Sequence, residues 1–172
     1  YGERGGLPLW HLAAMLAGEP VRLRWDPLPY SPIHDDDIAA QLEPLLDAVR
    51  VKKDITLLDI ASGPGYVAAA AAKRGAAVLG VDFSAAMVAC AQRSHPGIDF
   101  REGDAEALTC ASGMFDAAVM NYGILHLGQP EKALLEAHRV LRVGGRFAFS
   151  VWVKPEETIG FGIVLRAVEQ LG

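Results

Sequence analysis

The chain has 172 residues, of which 51% are hydrophobic and 22% are charged, and its formal net charge at pH 7 is −5. This length suits a single domain, and the composition is that of a globular protein and not of a disordered segment. The negative charge argues against a nucleic-acid surface, which is usually basic, so no nucleic-acid partner is expected.

The sequence offers no pattern of a targeting or membrane segment. No apolar run reaches the roughly 18 residues of a membrane span, and no charged segment followed by an apolar one resembles a signal peptide. Cys90 and Cys110 have no metal-ligand spacing, which favours free thiols in a reducing compartment. We therefore expect a soluble, cytoplasmic protein.

The first 34 residues are predicted to be largely irregular, because prolines interrupt every long element. Only Leu9 to Ala17 has the composition of a short helix. The acidic triplet Asp35 to Asp37 then precedes an apolar stripe at helical spacing, and negative charge favours a helix start there. We predict a helix at this point, with a kink or restart at Pro44, and no metal site.

From residue 54 the sequence alternates short apolar runs with helical segments. The predicted strands are Thr56 to Ile60, Ala77 to Val81, Ile98 to Arg101, Phe115 to Met120 and Phe147 to Val151. The predicted helices are Tyr66 to Arg74 before Gly75, a helix from Ser84 to about Arg93, and a helix from Pro130 to the pair Gly144-Gly145. This alternation predicts an α/β fold, with an open, mainly parallel sheet and helices on both faces, across residues 54–152.

A glycine turn is the first functional signal. Gly63 and Gly65 lie where the first of these strands turns into a helix, and their missing Cβ atoms let the backbone approach a ligand closely. The segment Gly63 to Ala68 also matches the dinucleotide fingerprint G-x-G-x-x-A. A tight turn without a ligand would need the same residues, so this motif alone is weak.

Two aspartates follow the next strands of the predicted sheet. Asp82 ends the second strand, and Asp104 follows the third within Gly103-Asp104-Ala105. Because the carboxyl ends of parallel strands line a common crevice, both should face the glycine turn. Asp82 is suited to accept hydrogen bonds from a ribose diol, and Asp104 with the N–H of Ala105 is suited to an adenine edge. The alternatives are that Asp82 only caps a helix and that Asp104 is a simple turn residue.

Five segments, in chain order, resemble the motifs of class I S-adenosylmethionine-dependent methyltransferases, whose sheet is Rossmann-like. They are Leu57 to Gly65, Val81 to Met87 (D-x-S-x-x-M), Gly103 to Ala105, Phe115 to Asn121 with Leu125-His126, and Arg139 to Arg146. The first segment follows the pattern of an acidic residue before G-x-G-x-G, except that Ala61 stands in place of the first glycine. The resemblance is greatest to the branch that holds the quinone-biosynthesis and many small-molecule methyltransferases.

The resemblance implies a cofactor contact for each motif. Asp59 would orient the methionine amino group, beside Ala61 and the glycine turn, and the carbonyl of Asn121 would lie near the sulfonium. The other implied contacts are Gly63 and Gly65 in the turn, Asp82 at the ribose, Phe83 and Met87 on the adenine faces, and Asp104 and Ala105 at the adenine edge. We expect Ala61 to replace glycine harmlessly, because a methyl group is tolerable where φ is negative.

Asp59 also separates S-adenosylmethionine from a nicotinamide cofactor. A dinucleotide would place a pyrophosphate near this carboxylate, which would repel it, whereas an α-amino group benefits from an acid. We therefore predict S-adenosylmethionine, with a nicotinamide-dependent oxidoreductase as the less favoured alternative. A non-catalytic S-adenosylmethionine-binding regulatory subunit is a further alternative, against which the intact carboxylates and glycines argue.

The predicted activity is in-line methyl transfer to an oxygen, nitrogen or carbon nucleophile of a small-molecule acceptor. In such a reaction the protein mainly supplies alignment and a dry pocket. His126 and Tyr122 follow the fourth predicted strand and are the candidate catalytic residues. A capping or packing role for His126 is the alternative.

The two ends of the chain are expected to cover the site. Residues 1–53 would form an N-terminal cap with the first helix, in which Trp10, Trp25 and Tyr30 could close over the cofactor. Residues 153–172 would begin an incomplete C-terminal substrate cover, because the sixth and seventh strands of the resembled family have no counterpart. Either the chain is cut short there, or its remaining part is disordered, or another subunit fills the gap. The free apolar edge beside the fifth strand would favour aggregation or a homodimer.

Overall fold

The computed structural model describes the backbone of residues 9–16, 22–27 and 35–152, and the side chains of residues 42–151. The strands in this part are β1 (Leu9–Leu16), β2 (Arg22–Pro27), β3 (Thr56–Ile60), β4 (Ala77–Asp82), β5 (Asp99–Glu102), β6 (Phe115–Asn121) and β7 (Leu141–Trp152). The helices are α1 (Asp35–Ala48), α2 (Tyr66–Lys73), α3 (Ala85–Ser94) and α4 (Pro130–Val140), with a 3-10 helix at Gly123–His126. None of these helices is long and apolar enough to cross a membrane.

The strands form one sheet in the order β2-β1-β7-β6-β3-β4-β5. Strand β3 pairs in parallel with both β4 and β6, while β4 pairs with β5 and β6 with β7 in the same sense. The chain therefore runs from β3 through β4 to β5 at one edge of the sheet, and then crosses back to form β6 on the other side of β3. This reversal opens a crevice at the carboxyl ends of β3 and β6, which is where open α/β sheets bind ligands.

Helices pack on both faces of this sheet, as predicted. Adjacent residues of β3 point to opposite faces, so that Leu57 packs with Leu46 of α1 on one side and Leu58 packs with Ala137 of α4 on the other. On the edge beside β5, Phe100 packs with Ala68 of α2 and with residues of α3. The predicted Rossmann-like α/β fold is confirmed by this arrangement.

The N-terminal segment differs from its prediction. Leu9–Leu16 is a strand and not a short helix, and Arg22–Pro27 forms a second strand antiparallel to it. The run from Leu9 to Leu16 contains good helix formers, but pairing with two neighbours overrides that local preference. The prediction of an irregular segment is therefore wrong for these two strands.

The predicted free edge beside the fifth parallel strand is also wrong. Strand β1 pairs antiparallel with β7 over seven residues, from Trp10↔Trp152 to Leu16↔Arg146. A homodimer built on that edge consequently loses its basis. Trp10 and Trp25 lie in β1 and β2, whereas Tyr30 and the segment 153–172 lie outside the described residues. The division at residues 54 and 152 stays a prediction.

One further prediction is wrong at an element end, and another is narrowed to one of its two alternatives. Helix α4 ends at Val140 and β7 begins at once, so Gly144-Gly145 lies inside a strand and does not end a helix. Gly144 has a φ of 81° and lies where β7 shifts its register against β6, between the pairs Phe115↔Leu141 and Ala117↔Arg146. Helix α1 continues through Pro44, so it does not restart there, and a kink at Pro44 stays a prediction.

Candidate active site

A buried carboxylate lies at the carboxyl end of β3. Asp59 is fully buried, and its Oδ2 accepts a hydrogen bond of 3.0 Å from the backbone N–H of Ala68 in α2. Its Oδ1 is buried without a hydrogen-bond partner among the described residues. Burial raises the pKa of Asp59 to about 7, with a further rise from Asp82 and an opposing effect of the Ala68 N–H. A buried carboxyl group with one oxygen that lacks a hydrogen-bond partner is suited to bind a cationic donor.

The turn that follows β3 is built from left-handed residues. Ala61, Gly63 and Gly65 have φ values of 55°, 52° and 88°. The expectation of a negative φ at Ala61 is therefore wrong, and the left-handed conformation costs an alanine about 1–2 kcal/mol. The methyl group of Ala61 has room because residue 123 beside it is glycine: a Cβ added to Gly123 would lie only 2.5 Å from the Cβ of Ala61.

The two glycines of this turn have different surroundings. A Cβ added to Gly63 would have no protein atom within 4 Å, whereas one added to Gly65 would lie 2.7 Å from Cζ of Phe100. Gly65 is therefore needed for the packing of α2 against the sheet. Gly63 borders open space, as a backbone that contacts a ligand does.

Asp82, at the end of β4, holds this turn in place. The carboxylate is buried, and its oxygens accept hydrogen bonds from the N–H groups of Gly63 (2.8 Å) and Ser84 (2.9 Å). Ser84 in turn caps α3 by accepting from the N–H of Met87. A carboxylate offers about four acceptor sites, so Asp82 retains capacity for a ligand after making both bonds.

A cleft of about 260 Å³ opens beside the turn. Its lining residues come from the ends of β3, β4, β5 and β6 and are Ala61, Asp82, Phe83, Asp104, Ala105, Glu106, His126, Leu127 and Gly128. The structure thus brings together one part of the predicted site: Ala61, Asp82, Phe83, Asp104, Ala105 and His126. The predicted residues that do not line this cleft are Asp59, Gly63, Gly65, Met87, Asn121 and Tyr122.

The cleft combines exposed apolar surface with acceptor groups. The side chain of Phe83 in the lining is 73% exposed, and that of Met87, which lies outside the lining in the first turn of α3, is 45% exposed. Asp104 is exposed and accepts a hydrogen bond of 2.8 Å from the N–H of Glu106, which fixes its loop. Exposed aromatic surface beside acceptor groups is typical of a binding site for a heterocyclic ring.

The end of β6 is held by a buried serine of β7. The Ser150 hydroxyl donates to Oδ1 of Asn121 (2.6 Å) and accepts from the N–H of Tyr122 (3.1 Å). The Tyr122 hydroxyl is itself buried, and burial raises the pKa of Tyr122 far above its ordinary value, so the phenol stays protonated. His126, by contrast, is exposed and lines the cleft.

Sequence reasoning missed three residues around this site: Gly123, Ser150 and Glu106. Glu106 lines the cleft, and its Oε1 accepts a hydrogen bond of 2.7 Å from the N–H of Gln129. Each of the three residues has a partner far away in sequence, namely Ala61 for Gly123, Asn121 for Ser150 and Gln129 for Glu106, so local patterns gave no signal for these contacts. Pairing across the sheet and between loops brings them to the site.

The fold and the cleft together define a Rossmann-like α/β protein with its site at the switch point of the sheet. The chain belongs to the methyltransferase domain family, whose model matches residues 58–149. Family membership confirms the resemblance drawn from the motifs, and it implies S-adenosylmethionine as the methyl donor.

Relatives place the chain near the quinone-biosynthesis branch. It is 36% identical to a demethylmenaquinone methyltransferase of Renibacterium salmoninarum, over 64% of this chain and 47% of the relative. It is 40% identical to the ubiquinone/menaquinone biosynthesis C-methyltransferase of Rubrivivax gelatinosus, over 58% of this chain and 42% of the relative. The chain therefore spans about half the length of these relatives.

Solved structures share the fold of this chain. The chain is similar to the PH0226 protein of Pyrococcus horikoshii, with a TM-score of 0.60 and 30% identity over 66% of this chain and 56% of that one. It is also similar to the YcgJ protein of Bacillus subtilis, with a TM-score of 0.59 and 26% identity over 67% of this chain and 50% of that one.

Proposed function

We propose that this chain is the cofactor-binding core of an enzyme that transfers the methyl group of S-adenosylmethionine to a small molecule. The observation that carries the proposal is Asp59, a fully buried carboxylate with one oxygen left without a partner behind the glycine turn. The α-ammonium of an amino acid would pair with that oxygen, whereas a pyrophosphate would be repelled by it. Gly63, next to open space, leaves room for the amino-acid part of the cofactor.

The nucleoside would bind along the cleft beyond the turn. Asp82 would accept from the ribose hydroxyls, held rigid by the two N–H groups that it already binds. Phe83 and Met87 would cover the adenine faces, and their exposed side chains support that role. Asp104 and the N–H of Ala105 would bind the adenine edge.

The bound cofactor supplies a methyl group that is already activated, so the chain's task is to align an acceptor and exclude water. Asn121 would present its backbone carbonyl to this reaction centre, while its side-chain oxygen accepts a hydrogen bond from Ser150. His126 would take the proton that the acceptor loses, since it is exposed in the cleft. Tyr122 is the weaker candidate, because its buried phenol stays protonated.

A reduced quinone ring is the acceptor that we propose. Relatives named as demethylmenaquinone methyltransferases support it, and so does Leu127, an apolar residue that lines the cleft next to His126. A cytoplasmic location without a nucleic-acid partner belongs to the same proposal. It is supported by the free thiols of Cys90 and Cys110 and by the net charge of −5.

Titration calorimetry with S-adenosylhomocysteine tests the cofactor assignment. We expect binding by the wild type and at least tenfold weaker binding by Asp59→Asn, which removes the buried charge but keeps the shape. The control is Asp54→Asn, an exposed position with φ of 67° that asparagine tolerates. Absence of heat with the wild type, or tight binding of a nicotinamide dinucleotide instead, would refute the proposal.

Methyl transfer to reduced demethylmenaquinone, compared with phenols, amines and carboxylates, tests the acceptor. For His126→Ala we expect kcat to fall by about 10²-fold or more, the usual contribution of a general base, with unchanged affinity for S-adenosylhomocysteine. An unchanged kcat would remove His126 from catalysis. Turnover with an amine or a carboxylate, and not with the quinol, would overturn the acceptor class.

A further inference from the structure

Glu106 connects two loops on opposite sides of the cleft. The first loop, residues 103–107, follows β5 and carries Asp104, whose Oδ1 accepts from the N–H of Glu106 at 2.8 Å. The second loop, residues 127–129, follows His126 and leads into α4, and its Gln129 N–H donates to Oε1 of Glu106 at 2.7 Å. One side chain thus joins the adenine side of the cleft to the side that carries His126.

The position of the Glu106 carboxylate suits this connection. Gln129 is the N-cap residue of α4 and makes no side-chain cap of its own, so a distant acceptor satisfies the backbone at this helix end. A negative charge is also favoured beside the N-terminus of a helix. A Cβ added to Gly128 would lie 3.6 Å from Oε1 of Glu106, so the second loop passes close to the carboxylate without a clash.

We propose that Glu106 is a positioning residue, which holds the two loops at the distance that cofactor binding requires. This inference rests on the function proposed above. Leu127 and Gly128 belong to the second loop and line the cleft, so release of the Gln129 N–H would let this wall move outward and admit water. A residue that only capped α4 would change helix stability and leave cofactor affinity alone.

Three variants at this position separate the hydrogen bond from the charge. Glu106→Ala removes both, Glu106→Asp keeps the charge but shortens the reach, and Glu106→Gln keeps an acceptor oxygen at the same distance. We expect Kd for S-adenosylhomocysteine to rise about tenfold in the Ala and Asp variants and to stay within about threefold in the Gln variant. The matched control is Glu131→Ala, which removes an exposed carboxylate from the first turn of the same helix.

Amide hydrogen exchange at Gln129 supplies a second readout that needs no ligand. Protection should be lost in the Ala and Asp variants and kept in the Gln variant. The inference is overturned if Glu106→Ala is folded and binds as tightly as the wild type, or if Glu106→Gln binds as weakly as Glu106→Ala. Failure of the wild type to bind S-adenosylhomocysteine would refute the proposed function instead, and the exchange at Gln129 would still show whether the connection exists. Should the Ala variant not fold, the Asp and Gln variants decide the question.

Discussion

Among single residues, Asp59 links the stability of the protein to its proposed binding function. Burial raises the pKa of this carboxyl from 3.8 to about 7, so in the folded state the protonated form is favoured. Between pH 3.8 and about pH 7 the unfolded chain binds fewer protons at this group than the folded chain does. The free energy of unfolding therefore falls as pH rises through this range. Asp59 lowers the free energy of unfolding most above pH 7, where its carboxyl is charged in both the folded and the unfolded state.

Replacement of Asp59 by asparagine should remove this cost. The variant keeps an oxygen for the Ala68 N–H, and its advantage over the wild type should grow by about 2–3 kcal/mol between pH 5 and pH 8. Urea unfolding at the two pH values measures the difference. A constant difference between variant and wild type would show that the acid is charged in the folded protein at both pH values.

Ala61 and Gly123 lie so close together that the effect of a substitution at one position should depend on the residue at the other. Gly123→Ala should destabilise the fold by about 1–3 kcal/mol, because its Cβ would lie 2.5 Å from that of Ala61 and 2.9 Å from Cγ of Met120. Ala61→Gly should restore part of that loss and, by itself, relieve the left-handed strain of Ala61. Thermal unfolding of the two single variants and the double variant gives the coupling. Additive effects would show that the two positions do not contact each other.

At the scale of elements, the start of α2 depends on Gly65 more than on Gly63. Both glycines have positive φ, so alanine at either position costs about 1–2 kcal/mol in backbone strain. Alanine at 65 would in addition meet the ring of Phe100, which adds an overpacking cost of about 1–3 kcal/mol. Gly65→Ala should therefore lower Tm clearly more than Gly63→Ala. Equal losses would mean that Phe100 moves aside freely.

The helices and parallel strands of residues 54–152 are well predicted by the sequence because their signals are local. The run Thr56–Ile60 is apolar and ends at a glycine turn, and the structure has the same bounds. Pro130 begins α4 and Ser84 caps α3, as their chemistry requires. The pair Gly144-Gly145 misled the prediction, because glycine marks both a helix end and an irregular strand.

The candidate site was predicted in part for the same reason. Its carboxylates lie at strand ends, and the ends of parallel strands meet at one edge, so Asp82 and Asp104 could be placed in one cleft from the sequence. Glu106 and Ser150 could not be found in this way, because each acts on a backbone or side-chain group of another loop. The methyl group of Ala61 fits beside residue 123 only because that residue is glycine, and no local pattern contains this contact.

In the molecule as a whole, the parallel sheet is extended by the antiparallel pair β1 and β2. Strand β1 lies between β2 and β7, so it pairs on both sides and covers the edge that β7 would otherwise expose. Exposed edge strands promote association between chains. The N-terminal strands should therefore contribute to solubility as well as to stability.

A proline in β1 tests this arrangement. Ala13 is paired with Leu23 on one side and with Phe149 on the other, so its N–H belongs to a strand with neighbours on both edges. Ala13→Pro would remove a ladder hydrogen bond, cost about 1–3 kcal/mol and loosen the cover over β7. We expect a lower Tm together with concentration-dependent association in sedimentation velocity. The control Ala13→Ser keeps the N–H and should stay close to the wild type. A proline variant with unchanged Tm and sedimentation would show that β1 contributes nothing to the sheet in solution.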